Sequence, residues 1–255
     1  MTEAQLKAAI PLLEARELTV RFGGLTAVDA VSARLYAGEL VGIIGPNGAG
    51  KTTFFNAISG VVAPTSGKLL VQGAVDLTGR GPHRYAAHGI ARTFQTPRVM
   101  AELTLADNVR FGMQFAGRHR TPVAGLRTEG DILAMLGLSG LADRLAADVT
   151  PSQQRLLEIG MALGTRPRVL LLDEVAAGLT ESEVDAMARR IRALRDDHGL
   201  TVVWIEHAVT TLLRYVERVL VLHQGRKIAD GTPAEVVRNA EVVEAYLGDE
   251  MEAAA

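Results

Sequence analysis

The amino-acid sequence predicts an α/β fold: a mixed sheet with flanking helices, joined to an antiparallel β part and carrying an inserted helical subdomain. Three observations carry this expectation. Leu40–Ile44, Val169-Leu170-Leu171-Leu172 and Thr201–Ile205 are short continuous apolar runs, the pattern of strands buried on both faces. Leu18, Val20 and Phe22, then Val31, Ala33 and Leu35, alternate with polar residues, as half-buried strands do. Between residues 97 and 164 strand signals vanish and helical periodicity takes over, as at Leu133, Leu136, Leu138 and Leu141.

The elements follow in chain order. Residues 1–11 read as a loose start ending at Pro11, and Gly23-Gly24 marks the turn between the two alternating segments. The run Leu40–Ile44 enters a glycine-rich loop, and residues 52–59 leave it as a helix. Pro64-Thr65-Ser66-Gly67 is a turn, followed by a strand over residues 68–72. Residues 117–130 are mostly polar and read as a loop, while residues 181–197 are helical. Residues 218–223 and 227–229 form a hairpin turning at Gln224-Gly225. Thr232-Pro233-Ala234-Glu235 starts a helix, with Pro at the first helical position and Glu closing a capping box. Residues 251–255 read as a frayed tail. The expected organisation is one domain: residues 12–96 and 165–232 form the core, 97–164 the helical subdomain, and 233–255 the C-terminal helices and tail.

The loop carries the most specific signal. Gly45-Pro46-Asn47-Gly48-Ala49-Gly50-Lys51-Thr52 spells G-x-x-x-x-G-K-T, the phosphate-binding P-loop, between a strand and a helix. Its glycines let the backbone curl so that successive N–H groups point at one anion. Lys51 reaches the β- and γ-phosphates, the Thr52 hydroxyl suits Mg²⁺, and the helix dipole favours phosphate. This makes the core a P-loop NTPase core, with Asn47, Gly48, Ala49, Gly50, Lys51, Thr52 and Thr53 as the nucleotide-binding set.

Four further positions are read against that loop. Asp173 ends an apolar strand, the place from which a carboxylate holds Mg²⁺, and Glu174 follows at once, placed to polarise the attacking water. The competing reading is an ordinary strand-end acidic pair. His207 ends the next strand, where it can donate to a γ-phosphate or orient water; it is otherwise an ordinary histidine, and the other five histidines show no metal-ligand spacing. Gln95, in Arg92-Thr93-Phe94-Gln95-Thr96-Pro97, stands where the strand-rich part gives way to the helical one. There it can contact Mg²⁺ and water, or be a plain loop residue. Phe22 can stack on adenine or belong to the core.

Composition narrows the class. A net charge of −2 gives no basic footprint for nucleic acid, and the absence of cysteine excludes disulfides and Cys-based metal sites. No apolar run approaches the ~18 residues of a membrane span. The N-terminal segment lacks the basic start and long apolar stretch of a signal peptide. The expectation is a cytoplasmic protein, with any membrane role exerted through partners.

In this order Phe22, the run from Gly45 to Thr53, Gln95, Asp173 with Glu174, and His207 resemble the nucleotide-binding subunits of ABC transporters. They match the family's adenine-stacking loop, Walker A, Q-loop, Walker B with the catalytic Glu, and switch His. The turn Pro64-Thr65-Ser66-Gly67 also resembles the family's usual one. Arg21-Phe22-Gly23-Gly24-Leu25, Arg92-Thr93-Phe94-Gln95, Ala176-Ala177-Gly178-Leu179 and Val243-Glu244-Ala245-Tyr246-Leu247-Gly248 are similar to the branched-chain amino acid importer ATP-binding proteins of the LivG type. Related importers carry urea, short amides or other apolar amino acids. The resemblance implies ATP and Mg²⁺ as cofactors and a place peripheral to the cytoplasmic face of the cell membrane. It also implies a second ATPase subunit, transmembrane permease subunits and, indirectly, an external substrate-binding protein as partners, with no nucleic acid. Two such subunits close head-to-tail around two ATP molecules, each held between one chain's P-loop and the other's signature motif.

Several positions depart from the family pattern. The signature, usually Leu-Ser-Gly/Tyr-Gly-Gln, aligns with Val149-Thr150-Pro151-Ser152-Gln153. Thr150 suits an N-cap, Pro151 the first helical position, and Gln153 completes a capping box. Thr150 can still reach the partner's γ-phosphate, but Pro151 offers no N–H and Ser152 adds bulk where Gly permits close approach. Val175 stands where Pro is usual, Thr180 where Asn or Asp is frequent, and Ala208 where Asp is common. Two consequences stay open: a heterodimer with one strong and one weak hydrolytic site, or a tolerated variant. The alternative functions are a weakly hydrolysing regulatory half of an asymmetric pair and a non-transport ABC ATPase.

Overall fold

The computed structural model describes residues 10–116, 123–206 and 209–252. Among them, strands form two sheets. The larger contains β3 (Leu40–Ile44), β6 (Ile90–Arg92), β7 (Val169–Asp173), β8 (Thr201–Ile205), β9 (Arg218–His223) and β10 (Arg226–Gly231), in the order β10-β9-β3-β8-β7-β6. All neighbours are parallel except the β9–β10 hairpin. The smaller sheet is antiparallel, in the order β2-β1-β4-β5, from β1 (Leu13–Phe22), β2 (Leu25–Leu35), β4 (Ser66–Val71) and β5 (Val75–Asp76).

Alternation along the large sheet divides the core in two. Val41, Ile43, Val169, Leu171, Val203 and Ile205 face the smaller sheet, and the helix α1 (Lys51–Ile58) packs Phe54, Phe55, Ala57 and Ile58 into the same cluster. Leu40, Ile44, Leu170, Leu172, Val202 and Trp204 face the other way. Every residue of β3, β7 and β8 is buried, which explains their unbroken apolar sequence. Each buried Val, Leu or Ile side chain there contributes about 1.5–3 kcal/mol relative to exposure. The helix leaving the P-loop is thereby fixed between two sheets.

Among the described residues between β6 and β7 lie the helices α3 (Leu105–Gln114), α4 (Glu129–Met135) and α5 (Pro151–Gly164), with α2 (Pro82–Ala87) preceding β6. Leu133, Leu136 and Leu138 are buried there and Leu141 packs against them. Buried Asn108 fastens the approach to α3: its Oδ1 accepts from Met100 N–H (2.8 Å) and its Nδ2 donates to the Met100 and Thr104 carbonyls (3.0 and 2.9 Å). The polar stretch expected as a loop ends at Thr128, which caps α4; residues 117–122 lie outside the described residues.

After β7 come α6 (Glu181–Asp196), α7 (Val209–Tyr215), α8 (Pro233–Val236) and α9 (Ala240–Glu252). The capping box at Thr232 and Glu235 forms as expected. The helix α9 runs through Met251 and Glu252, two residues into the stretch expected to fray, because Met and Glu are good helix formers; residues 253–255 lie outside the described ones. The short elements β5, β6, α2 and α7 were not anticipated. Two to seven residues are too few to show a period.

Candidate nucleotide site

The carboxyl ends of β3, β7 and β8 converge, the usual place for a ligand in a parallel sheet. The chain leaves β3 into the loop with Gly45 at φ 154°, Gly48 at 74° and Gly50 at 94°. A Cβ on Gly45 would collide with the Leu222 carbonyl, and one on Gly50 with the Ala27 carbonyl of β2. Only glycine fits either position. Gly50 then caps α1 and has no side chain of its own to bond the first helical N–H groups. Asn47, Gly48 and Thr52 are exposed, Thr53 is half-buried and Ala49 is buried. Lys51 lies back along the loop, with Nζ donating to the carbonyls of Gly45 (2.6 Å) and Pro46 (2.8 Å). A glycine-shaped cradle at an uncapped helix start, with a lysine across it, fits a phosphate chain.

Phe22 and Leu25 face each other across the β1–β2 turn and are exposed by 51% and 65%. The core reading of Phe22 therefore fails. The same hairpin presses Ala27 against Gly50, so its apolar tip stands beside the loop.

Asp173 is buried, and its Oδ2 accepts from Arg92 Nη2 at 2.8 Å. Arg92 Nη1 also donates to Asn56 Oδ1 on α1 and to Ser59 Oγ at its C-terminal cap, both at 2.8 Å, while the guanidinium lies over the rings of Phe55 and Phe94. Burial pushes Arg92 below its usual pKa, and the adjacent Asp173 charge opposes that shift. Arg92 thus ties β6, β7 and the P-loop helix together.

Glu174 is buried beside it in a left-handed conformation, φ 48°. Its Oε2 accepts from Gln95 Nε2 at 2.5 Å. Because Gln95 spends its amide nitrogen on Glu174, its carbonyl oxygen is the atom it can offer a cation. Thr52, Asp173 and Gln95 supply a hydroxyl, a carboxylate and an amide oxygen. These are hard donors that suit Mg²⁺ shared with phosphates. Among the described residues no group of three or more His, Cys, Asp or Glu could hold a metal ion. His207 and Ala208 lie outside the described residues.

Two buried carboxylates were missed in the sequence. Glu206 Oε1 accepts from Ala176 N–H (2.7 Å) and Trp204 Nε1 (3.1 Å), fixing the chain just after Glu174. Glu158 on α5 accepts from the N–H groups of Phe94 (3.3 Å) and Arg98 (3.1 Å), on either side of Gln95, and burial pushes its carboxyl up to about 7. An acid on the apolar face of a helix was the only signal for Glu158.

Thr150, Ser152 and Gln153 bond among themselves. Thr150 caps α5, its Oγ1 accepts from Gln153 N–H (3.3 Å), Gln153 Oε1 accepts from Thr150 N–H (3.0 Å), and the Thr150 and Ser152 hydroxyls are 2.9 Å apart. Thr180 caps α6 through a capping box with Glu183. Bonds from Thr180, and then from Ser152, hold the Glu183 carboxyl below its usual range.

A glycine-rich loop between β3 and α1, with Asp173 and Glu174 at the end of β7, defines a P-loop NTPase. The family model described as ABC transporter matches residues 28–177, and that described as branched-chain amino acid ATP-binding cassette transporter matches residues 226–252. The chain belongs to the ABC transporter family, as an ATP-binding subunit with ATP hydrolase activity coupled to transport. It is 39% identical to the high-affinity branched-chain amino acid transport ATP-binding protein BraF of Pseudomonas aeruginosa, over 94% of this chain and 98% of that one. Identity to LivG of Escherichia coli, named for the same transport, is 37% over 94% and 98%. Among solved structures, the ADP conformation of an ATP-binding cassette from an ABC transporter superposes with a TM-score of 0.81 at 30% identity, covering 94% of this chain and all (100%) of the other. A nucleotide-free cassette gives 0.79 at 30% identity, covering 92% and 98%.

Proposed function

We propose that this chain is the ATP-hydrolysing subunit of an importer for branched-chain or related amino acids. The observation that carries the hydrolytic part is the Gln95–Glu174 hydrogen bond, which unites two residues from the separate segments that follow β6 and β7. Phe22 stacks on the adenine ring. Asn47, Gly48, Ala49, Gly50, Lys51, Thr52 and Thr53 hold the phosphates, with Lys51 swinging from its loop carbonyls to them. Thr52, Asp173 and Gln95 hold Mg²⁺, which when bound neutralises charge developing on the phosphates. Glu174 polarises the attacking water, and His207 contacts the γ-phosphate. The amino acid substrate is supported by the C-terminal match over residues 226–252 and by the relatives' names.

The partners in this reading are a second ATPase subunit, transmembrane permease subunits and, indirectly, an external substrate-binding protein. Among the described residues no helix is long and apolar enough to cross a membrane. Placement on the cytoplasmic face comes from the permease subunits. The test is ATPase activity of the chain alone and with its co-purified partners, wild type beside Glu174→Gln. Activity that rises with partners and disappears in the variant supports the reading; retained hydrolysis in Glu174→Gln rejects it.

One observation favours a second, asymmetric reading. Thr150 commits its hydroxyl to Gln153 and Ser152, Pro151 has no N–H, and Ser152 fills the place of a glycine. Thr150, Ser152 and Gln153 then grip the partner's ATP weakly, and the complex is a heterodimer with one strong site, at this chain's P-loop. Glu174→Gln removes most of its ATPase activity and the equivalent change in the partner removes little. Equal losses reject the asymmetry.

A further inference from the structure

The helix α5 does more than present Thr150 to a partner chain. One turn into it, Arg155 turns back towards the sheet. Its Nη1 donates to the carbonyls of Gln95 (3.2 Å) and Glu174 (3.1 Å), and its Nη2 to that of Ala177 (2.8 Å). One guanidinium therefore joins three backbone oxygens from the segments following β6 and β7. A planar fork of five N–H donors can do this; a lysine ammonium on a single point cannot reach all three. Glu158, one turn further on, takes the N–H groups on either side of Gln95. Helix α5 thus grips the Gln95 segment by its donors and its acceptors together.

The bonded segments carry the two side chains that meet, Gln95 and Glu174. Glu174 holds a left-handed backbone, φ 48°, which a non-glycine residue keeps only where its surroundings over-determine it. The Arg155 bond to the Glu174 carbonyl is one such constraint. The bond from Glu174 N–H to the Ile205 carbonyl (3.0 Å) is another.

We propose that Arg155 is a positioning residue for ATP hydrolysis. It locks the backbone of Glu174 to that of Gln95, so the carboxylate is aimed only while the helical insertion is seated on the sheet. This rests on the assignment of Glu174 as the group that polarises water.

The test uses the assembled complex with Arg155→Met, Arg155→Lys and Glu174→Gln, measuring kcat and KM for ATP, nucleotide affinity and melting temperature. Misaiming a reacting group by about 1 Å costs up to roughly 100-fold in rate. The expected result is a kcat lowered about 10- to 100-fold in Arg155→Met, with KM and ATP affinity within about twofold of wild type and partial recovery in Arg155→Lys. Two results would overturn the proposal: kcat unchanged in Arg155→Met while Glu174→Gln is inactive, or a loss carried by KM and affinity with no recovery by lysine. Wild-type turnover in Glu174→Gln would instead reject the Glu174 assignment itself. If Arg155→Met fails to fold, Arg155→Lys decides: it keeps the charge and loses the fork, and kcat equal to wild type overturns the proposal.

Discussion

Arg92 and Asp173, 81 residues apart in sequence, form an ion pair at 2.8 Å with side chains only 11% and 6% exposed. Removing one partner of a buried pair strands the other charge in a poorly solvated place, and typically costs about 3–5 kcal/mol. Arg92→Met should lower stability by that amount, and Arg92→Lys by less, because it keeps the charge but loses the bonds to Asn56 and Ser59. Urea denaturation midpoints measure both. A shift below about 0.5 kcal/mol in Arg92→Met, the range of ordinary surface changes, would refute the structural role.

Lys51 supplies the counter-charge across the P-loop and donates to two of its carbonyls. Charge-assisted hydrogen bonds contribute about 1.5–3 kcal/mol, so Lys51→Ala should weaken ATP binding by about 10- to 100-fold. Equilibrium titration with a fluorescent nucleotide checks this. Unchanged affinity would count against the loop as the phosphate site.

Phe22 is half exposed at a hairpin tip. Its loss should change stability by less than about 0.5 kcal/mol. Aromatic stacking contributes about 0.5–1.5 kcal/mol, so Phe22→Ala should reduce ATP affinity about three- to tenfold while melting stays put. A large drop in melting temperature with affinity intact would reverse the assignment.

Glu158 should make stability depend on pH. Burial raises its folded pKa from 4.5 to about 7, with Arg98 and Arg155 facing it and partly opposing that shift. Between those values the folded chain binds more protons than the unfolded one, so this contribution is fully present below about 4.5 and lost as pH rises through about 7. Glu158→Gln removes the titration. Its stability relative to wild type should rise by about 2 kcal/mol between pH 5.5 and pH 8. Parallel unfolding curves for the two proteins across that range would disprove the shift.

What the sequence determined by itself is whatever closes within a few residues. The P-loop is legible because eight consecutive residues make it. The capping boxes at Thr150 and Thr232 are legible because each joins residues three apart. The strands β3, β7 and β8 are legible because burial on both faces demands an unbroken apolar run. Only the tertiary structure decided how the site is wired. The three residues of β6 have no period to read, yet their place beside β7 sets Arg92 on Asp173 and Gln95, 79 residues away, on Glu174. Exposure of Phe22 and burial of Glu158 likewise follow from what packs against them. Local patterns are encoded by spacing along the chain, whereas these contacts depend on strand order, which no short stretch of sequence contains.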